Sequence, residues 1–325
     1  MREVVASAPG KVNLTLRVGP PGADGFHPLV TVFEALDVRE TVAVRTSRTP
    51  GVRVETTAYL PDGSVDPRAT DLMRRVPDEH HLAVRAVRVM QRLAAAGPWA
   101  HTAAGVSIRV DKRVPVAGGM AGGSADAAAA LVACNALWGI GLDAGRLEAI
   151  GRTLGADVPA CLVGGIALGT GRGDRMEALA DPGGAEHHWA IVLSDEGLST
   201  PEVFRALDEA GGPGGRWSPL VVPDEAEVAA LTGPAEGLAD VLVNDLTGAA
   251  LSLRPRLDDV LRGAREAGAL AAVVSGSGPT VAALARDADH ARGLAAAVRG
   301  LPGVRGALAV SGPAPGARVE SDEAA

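Results

Sequence analysis

Cysteine, aromatic residues, lysine and long apolar runs are all scarce in this chain of 325 residues. The two cysteines, Cys134 and Cys161, each lie in an apolar setting, which favours buried thiols in a reducing compartment over a disulfide or a metal site. Aromatic residues make up only 2% of the chain, which leaves few platforms for base stacking. Because the formal net charge is −8 as well, we expect no nucleic-acid partner.

No stretch of the sequence reaches the roughly 18 apolar residues that a membrane-spanning helix needs. The first residues, Met1–Leu16, contain no long apolar run, so the sequence predicts no signal peptide. A hydrophobic content of 47% still suffices for a large core. The expectation is therefore a soluble cytoplasmic protein of one large or two ordinary domains, without a membrane partner.

The longest glycine-rich segment lies between a predicted strand and a predicted helix. Val106–Val110 alternates like a half-buried strand, and the alanine-rich run that ends at Trp138 reads as a buried helix. Gly118, Gly119, Gly122 and Gly123 can take positive φ and leave room for a ligand. Amides at the start of the helix would then form an anion site, and phosphate is the usual anion.

Other interpretations of the glycine segment remain open. It is equally consistent with a tight turn that binds nothing. It is not a Walker A loop, because Ser124 and Ala125 follow Gly123 where lysine and serine or threonine are required. It approaches a dinucleotide-binding turn, but no second strand ending in an acidic residue follows at the right distance.

The N-terminal residues predict strands at Val4–Ala8 and Val12–Val18. In the second strand Lys11 and Asn13 share one face, and their spacing alone favours a solvated strand face. Both residue types are rare here, since Lys11 and Lys112 are the only lysines among 31 basic residues. A turn-rich loop follows and ends in Phe26-His27, where a histidine without a ligand would be the ordinary interpretation.

Farther along the chain, His81–Leu93 and Leu142–Leu154 predict helices. Asp157 is followed by Pro159, so local rules favour a helix N-cap at Asp157. A second glycine loop, Ser275–Thr280, lies between predicted strands at Ala271–Val274 and Val281–Leu284. The last predicted helix is Ala288–Val298.

Six segments of the chain together resemble the GHMP small-molecule kinases. Pro115–Ala125 is similar to the family's second motif, which wraps the ATP phosphates, although Ala125 replaces a serine found in many members. Lys11-Val-Asn-Leu-Thr-Leu and Asp24-Gly25-Phe26-His27 resemble the first motif in the branch of the family whose substrate carries cytidine diphosphate. The remaining similarities are Gly155–Pro159, Ser199-Thr-Pro-Glu-Val-Phe204 and Ser275–Thr280.

The resemblance implies a two-domain α/β (α+β) fold. Residues 1–180 would form an ATP-binding domain like ribosomal protein S5 domain 2, and residues 181–312 a ferredoxin-like domain, with the active site in the cleft between them. The acidic segment 313–325, rich in proline and alanine, is predicted to be disordered. A homodimer is left open, since the sequence does not reveal the oligomeric state.

The resemblance also implies a kinase that uses ATP with Mg²⁺ to phosphorylate a hydroxyl of CDP-methylerythritol, in the non-mevalonate route to isoprenoids. Asp157 would accept the proton of that hydroxyl, and Lys11 would neutralise charge beside it. Asn13, Phe26 and His27 would bind the substrate, with Phe26 in place of the commoner tyrosine. The ATP site would comprise Pro115, Val116, Ala117, Gly118, Gly119, Met120, Ala121, Gly122, Gly123, Ser124 and Ala125.

Three points stay open at this stage. No Mg²⁺ ligand can be assigned, with Ser124 as one candidate. Relatives often carry asparagine at the position of His81, which leaves the nucleoside contacts of this chain undefined. The alternative functions are another GHMP kinase, acting on homoserine or a mevalonate derivative, and a nucleotide-binding sensor that keeps the fold without catalysis.

Overall fold

Two β-sheets carry the architecture of the protein in a computed structural model, which describes residues 2–180 and 184–324. The first and larger sheet contains most strands of the N-terminal half, and helices cover one of its faces. Its elements up to residue 180 are β1 (Arg2–Val18), β2 (Leu29–Thr46), β3 (Gly51–Ala58), α1 (Pro67–Arg74), α2 (Leu82–Ala95), α3 (Ala100–Ala103), β4 (Gly105–Lys112), α4 (Gly122–Trp138), α5 (Ala144–Leu154), α6 (Val158–Val163), β5 (Ile166–Thr170) and β6 (Arg175–Ala178).

The second sheet and its helices follow. Two strands of this half of the chain pair with β1 of the first sheet. The elements are β7 (His187–Ser194), α7 (Thr200–Glu209), α8 (Glu225–Leu231), α9 (Ala235–Val241), β8 (Val243–Asn244), α10 (Thr247–Leu253), α11 (Arg256–Glu266), β9 (Ala271–Val274), β10 (Val281–Ala285), α12 (Ala288–Val298), β11 (Val304–Gly312) and β12 (Arg318–Ala324). The predicted domain boundary after residue 180 falls at residues 181–183, which lie outside the described residues.

The long hairpin of β1 and β2 forms the centre of the first sheet, in which the strand order is β12-β1-β2-β4-β3. Helix α4 packs across β1 and β2, and its alanines allow the helix to approach the sheet closely because they add almost no bulk. The two predicted strands before residue 18 are one strand. Its pairing with β2 shifts register between Pro9 and Lys11 and again between Asn13 and Thr15, which places irregular backbone beside Lys11.

The second sheet is antiparallel, with the order β11-β7-β10-β9. Its strands and helices follow the sequence β-α-β-β-α-β, which is the ferredoxin-like arrangement predicted for this half of the chain. The predicted strand Ala271–Val274 and helix Ala288–Val298 are confirmed residue for residue as β9 and α12.

The predicted disordered tail is corrected by the structure over most of its length. Strand β12 pairs antiparallel with β1, so that the end of the chain returns to the first sheet. Arg2 donates to Asp322 and Ser7 donates to Glu320, so polar side chains hold the strand where apolar ones are few. The tail's low hydrophobicity predicted disorder because this long-range pairing is invisible in local sequence.

Both cysteines are buried and unpaired, as predicted. Burial raises the pKa of the Cys134 and Cys161 thiols, so both stay protonated. Over residues 2–180 and 184–324, no helix is long and apolar enough to cross a membrane.

Candidate active site

A cavity of about 790 Å³ opens between the first sheet and the loops of the second. It receives side chains from β1, from the glycine segment that precedes α4, and from α7 in the other half of the chain. Of the residues predicted to form the site, the cavity wall contains Lys11, Asn13, Phe26, His27, Gly119, Ala121, Ser124 and Asp157. The sequence therefore identified residues from four separate segments that the fold brings together.

Lys11 and Asn13 lie at the floor of this cavity. The Nζ atom of Lys11 donates to Oδ1 of Asn13 at 2.7 Å, and Nδ2 of Asn13 donates to Oγ1 of Thr31 at 2.8 Å. Both residues are buried, and Gly276 of the second domain lies against them. The solvated face that strand spacing favoured is therefore wrong, and the lysine is held in one orientation by its neighbour.

Asp157 precedes α6 at the N-cap position, but its side chain makes no capping hydrogen bond. Its carboxylate lies 3.8 Å from Nζ of Lys11, and the side chain is 37% exposed towards the cavity. The N-cap role that local rules favoured is therefore not realised by the side chain. The carboxylate is available to a ligand and is paired with a fixed cation.

The glycine segment reaches α4 through a turn whose left-handed residues differ from those predicted. Of the four glycines that could take positive φ, only Gly119 does, at 73°, while Ala117 and Ala121 take 56° and 60°. A Cβ at Gly119 would lie 2.5 Å from the carbonyl oxygen of Ser275, so this glycine also permits close approach of the two domains.

The N-terminus of α4 supplies the expected anion-binding geometry. The first amide bonded within the helix is that of Ala125, which donates to the carbonyl of Ala121 at 2.8 Å. The amides of Gly122, Gly123 and Ser124 thus have no acceptor inside the helix, at the positive end of its dipole. Met120 and Ala125, also predicted for the ATP site, instead have buried side chains that pack in the core.

The second glycine loop closes the cavity from the other domain. Gly276 has φ of 57°, and a Cβ there would lie 3.3 Å from Oδ1 of Asn13 and 3.4 Å from Nζ of Lys11. Asn244 shapes this loop, because its Nδ2 donates to the carbonyls of Val274 and Gly276, each at 2.7 Å. The loop therefore borders Lys11 from the second domain.

Phe26 and His27 belong to the loop between β1 and β2, line the same cavity and differ in their surroundings. Phe26 is 54% exposed. His27 is buried, with Nδ1 2.8 Å from the carbonyl of Gly19, and its ring stacks on Trp217 with centroids 5.5 Å apart. Since a carbonyl oxygen can only accept, Nδ1 carries a proton, and Nε2 points towards Asp208 at 3.4 Å.

The sequence missed several residues that line the same cavity. Phe204 could have been found, because it ends the Ser-Thr-Pro-x-x-Phe segment, and its ring centroid lies 5.1 Å from that of His27. The arginines had no signal, since nearly every basic residue of the chain is arginine. The missed residues include Arg152, Arg172, Asp174, Thr200, Phe204, Arg205, Asp208 and Ser277.

A buried charge cluster of Glu40, Lys112 and Asp126 lies under the start of the glycine segment. The Nζ atom of Lys112 donates to Glu40 at 2.8 Å and to Asp126 at 2.7 Å. The other oxygen of Glu40 accepts the amide of Arg113 at 2.7 Å. The second lysine of the chain therefore pairs with the carboxyl group that anchors the backbone at the start of the glycine segment.

Stability should depend on pH through this cluster. Burial raises the pKa of Glu40 from 4.5 to about 8, against the lowering effect of Lys112 and with a further rise from Asp126. Between pH 4.5 and about 8 the folded protein therefore binds more protons than the unfolded chain. The free energy of unfolding should decrease as pH rises through this range. Denaturant titrations from pH 5 to 8 measure the free energy of unfolding, which should change less with pH in Glu40→Gln than in wild type. Glu55→Gln, an exposed change on β3, should keep the wild-type slope, and an unchanged slope in Glu40→Gln would contradict the assignment.

His81 is the N-cap residue of α2 and is buried behind the same cluster. Its Nε2 lies 3.1 Å from Oγ1 of Thr56. Within the part of the chain that the structure describes, Nδ1 of His81 and Oδ1 of Asp126 are buried without a hydrogen-bond partner. Burial lowers the pKa of His81, with Asp126 opposing that effect, so the ring favours its neutral form.

Pro115 and Val116 line a neighbouring cavity of about 280 Å³, and Ala117 and Gly118 line another of about 140 Å³. The predicted ATP segment therefore lines the main cavity and both of these smaller ones. Among residues 2–180 and 184–324, no group of three or more His, Cys, Asp or Glu side chains is placed to hold a metal ion.

Comparison with known protein families agrees with this geometry. Residues 81–165 match the GHMP kinases N terminal domain, and residues 228–301 match the GHMP kinases C terminal domain. Each matched segment contributes residues to the cavity wall, such as Asp157 from the first and Gly276 from the second.

Curated relatives and a solved structure extend the match to almost the whole chain. The 4-diphosphocytidyl-2-C-methyl-D-erythritol kinase of Pseudarthrobacter chlorophenolicus is 45% identical, with 99% of this chain and 96% of that protein covered. The protein of the same name from Thermobifida fusca is 47% identical, with 97% and 98% covered. A crystal structure of 4-(cytidine 5'-diphospho)-2C-methyl-D-erythritol kinase superposes with a TM-score of 0.71 at 33% identity, covering 95% of this chain and 98% of that one.

Proposed function

The chain belongs to the 4-diphosphocytidyl-2-C-methyl-D-erythritol kinases of the GHMP superfamily, and from that premise we propose its reaction and the roles of its residues. The cleft transfers the γ-phosphoryl group of ATP to the 2-hydroxyl of 4-diphosphocytidyl-2-C-methyl-D-erythritol, a step of the non-mevalonate pathway. The observation that supports this most directly is the pair of Lys11 and Asp157, 3.8 Å apart in a cavity that also contains Phe26 and His27.

Asp157 accepts the proton of the substrate hydroxyl. An alcohol is a weak nucleophile at neutral pH, and a positioned carboxylate assists it by removing the proton as the new bond forms. The carboxylate is suited to this because it makes no capping hydrogen bond and faces the cavity.

Lys11 neutralises charge at the reacting centre. Its ammonium lies between Asp157 and Oδ1 of Asn13, where it can contact both the hydroxyl oxygen and the oxygens of the transferred group. Asn13 was expected to bind substrate, but its amide is committed to Lys11 and Thr31. We therefore assign Asn13 the role of holding Lys11 in place.

The segment Pro115–Ala125 binds ATP. The amides that begin α4 donate to phosphate oxygens, and the cationic side chains of the cavity, Lys11 and Arg152 among them, complement the negative charge of both substrates. Mg²⁺ fits this arrangement because it prefers oxygen ligands and takes few from the protein when it binds with phosphates. The Ser124 hydroxyl would serve as one ligand, and the ion supplies charge neutralisation on the phosphates when bound.

Phe26 and His27 bind the cytosine. The exposed ring of Phe26 offers a face for stacking, and Nε2 is the ring nitrogen of His27 that remains to contact the edge of the base, since Nδ1 donates to the carbonyl of Gly19. A cytosine-binding end of the cavity is what distinguishes this chain from kinases that share the fold but act on small alcohols.

The change Phe26→Ala should weaken binding of the cytidylyl substrate alone. Base stacking on an aromatic side chain contributes about 1–3 kcal/mol, so KM for that substrate should rise by about 5-fold to 150-fold. KM for ATP should stay within about 2-fold, because Phe26 belongs to the loop between β1 and β2 and not to the glycine segment proposed to bind ATP. Steady-state kinetics with each substrate varied in turn would measure both values. A rise in KM for ATP instead would place Phe26 in the nucleotide site.

A coupled ADP-release assay with a panel of alcohols tests the function as a whole. We expect turnover of 4-diphosphocytidyl-2-C-methyl-D-erythritol and none above background with homoserine, mevalonate or galactose. Turnover of one of those three at a comparable rate would assign another GHMP activity. ATP binding without turnover of any alcohol would favour a nucleotide-binding sensor.

A further inference from the structure

The side chain of Arg172 covers one face of the Phe26 ring. The Cζ atom of its guanidinium lies 3.7 Å from the ring centroid, which is the distance of a stacked cation–π contact. Arg172 belongs to the loop between β5 and β6, and Phe26 to the loop between β1 and β2. Both residues line the cavity, so the contact lies at the site and not on a remote surface.

Asp24 fixes both members of this contact. Its Oδ2 accepts Nη2 of Arg172 at 2.9 Å, and its Oδ1 accepts the backbone amide of Phe26 at 3.1 Å. The amide of Phe26 and the guanidinium of Arg172 hold the pKa of Asp24 below its ordinary value, so the carboxylate is ionised throughout the neutral range. One carboxylate therefore orients the backbone of Phe26 and the cation above its ring.

The two loops are also joined through their backbones. The amide of Leu29 donates to the carbonyl of Gly171 at 2.7 Å, and the amide of Gly22 donates to the carbonyl of Phe26 at 2.8 Å. The amide of Arg172 donates to Oδ1 of Asp174 at 3.2 Å. Arg172 thus extends from an anchored turn, which restricts where its guanidinium can lie.

We propose that Arg172 is a positioning residue for the cytidylyl substrate, which supports Phe26 from behind so that the opposite ring face is presented to the base. An exposed phenyl ring without the tyrosine hydroxyl has no hydrogen bond of its own to fix its rotamer. The planar guanidinium provides that restraint by stacking, which an ammonium group could not do in the same way. This inference rests on the proposed function, since it requires that a base stacks on Phe26.

The same arginine could instead contact the diphosphate of the substrate. The two roles predict different energetic coupling between Arg172 and Phe26. If Arg172 acts through Phe26, its effect depends on the ring being present. If it binds the diphosphate directly, its effect is independent of the ring. A double-mutant cycle separates these cases because it measures the interaction between two side chains.

The experiment measures KM for the cytidylyl substrate and for ATP in wild type, Arg172→Ala, Phe26→Ala and the double variant. We expect Arg172→Ala to raise KM for the cytidylyl substrate by about 2-fold to 5-fold, with KM for ATP and kcat unchanged. In the Phe26→Ala background, the same change should have no further effect. Arg146→Ala, which removes an exposed arginine paired with Asp143, is the matched control and should leave all constants unchanged.

Two outcomes would overturn the inference while leaving the proposed function intact. An equal rise in KM with and without Phe26 would show that Arg172 binds the substrate directly. No rise in either background would show that the contact does not affect binding. Failure of the wild-type protein to phosphorylate the cytidylyl substrate would instead overturn the proposed function, and this inference with it.

Discussion

Replacing Asp157 with asparagine should lower kcat by about 10²-fold or more and leave the melting temperature close to that of wild type. Asparagine keeps the size of the side chain but cannot accept the proton of the hydroxyl. Because the Asp157 side chain makes no capping hydrogen bond, the substitution removes no contact that stabilises α6. Rapid-mixing or steady-state kinetics and thermal denaturation of the same samples measure the two effects.

Asp157→Ala is the second arm of this test. A true N-cap aspartate would lose about 1 kcal/mol of stability on replacement by alanine while asparagine would be harmless. We expect instead that both variants melt near the wild-type temperature and that both lose activity. A loss of only several-fold in kcat for Asp157→Asn would indicate that the proton passes to the γ-phosphate itself, with Lys11 and the phosphate-binding segment supplying most of the acceleration.

The largest effect on stability should come from Lys112→Met. The substitution leaves the carboxyl groups of Glu40 and Asp126 buried without the ammonium that paired with them, and breaking a buried ion pair by removing one partner costs about 3–5 kcal/mol. Since Glu40 also accepts the amide of Arg113, the phosphate-binding segment loses its anchor at the same time. Chemical denaturation at pH 7 would measure the change in the free energy of unfolding.

The other lysine provides the matched control. Lys11→Met removes a buried ammonium whose partner Asp157 is 37% exposed and can be hydrated. We therefore expect a small change in stability and a large loss of kcat for Lys11→Met, the reverse of the pattern for Lys112→Met. Adding Glu40→Gln to Lys112→Met should restore part of the lost stability, because it removes one of the two buried carboxyl groups that have lost their cationic partner. If Lys112→Met lowered the free energy of unfolding by less than about 1 kcal/mol, the cluster would not stabilise the fold as we propose.

Elements defined by local pattern were predictable from the sequence. The β9 strand and the α12 helix match their predicted bounds, and the two glycine loops were placed correctly between their flanking elements. Periodicity, caps and glycine content are all contained within a few residues, so no knowledge of the rest of the chain was needed. The resemblance added the assembly of distant segments into one cleft, which pattern alone does not give.

Features that depend on distant parts of the chain were not predictable. Lys11 was expected on a solvated face because the covering domain starts more than 170 residues later, with β7 at His187–Ser194. The cluster of Glu40 and Lys112 joins residues 72 positions apart, and neither has a local pattern that marks it as buried. Strand β12 pairs with the first residues of the chain, and Arg172 reaches Phe26 from another loop. In each case the missing information was tertiary contact, which propensity cannot supply.

We propose that this cleft selects its alcohol through the attached cytidylyl group. The most direct test compares kcat/KM for 4-diphosphocytidyl-2-C-methyl-D-erythritol with kcat/KM for 2-C-methyl-D-erythritol 4-phosphate, which presents the same hydroxyl without the cytidylyl group. The loss of base stacking alone predicts a preference of about 5-fold to 150-fold for the cytidylyl substrate in wild type, reduced in Phe26→Ala. Equal kcat/KM for the two compounds in the wild-type protein would contradict the account.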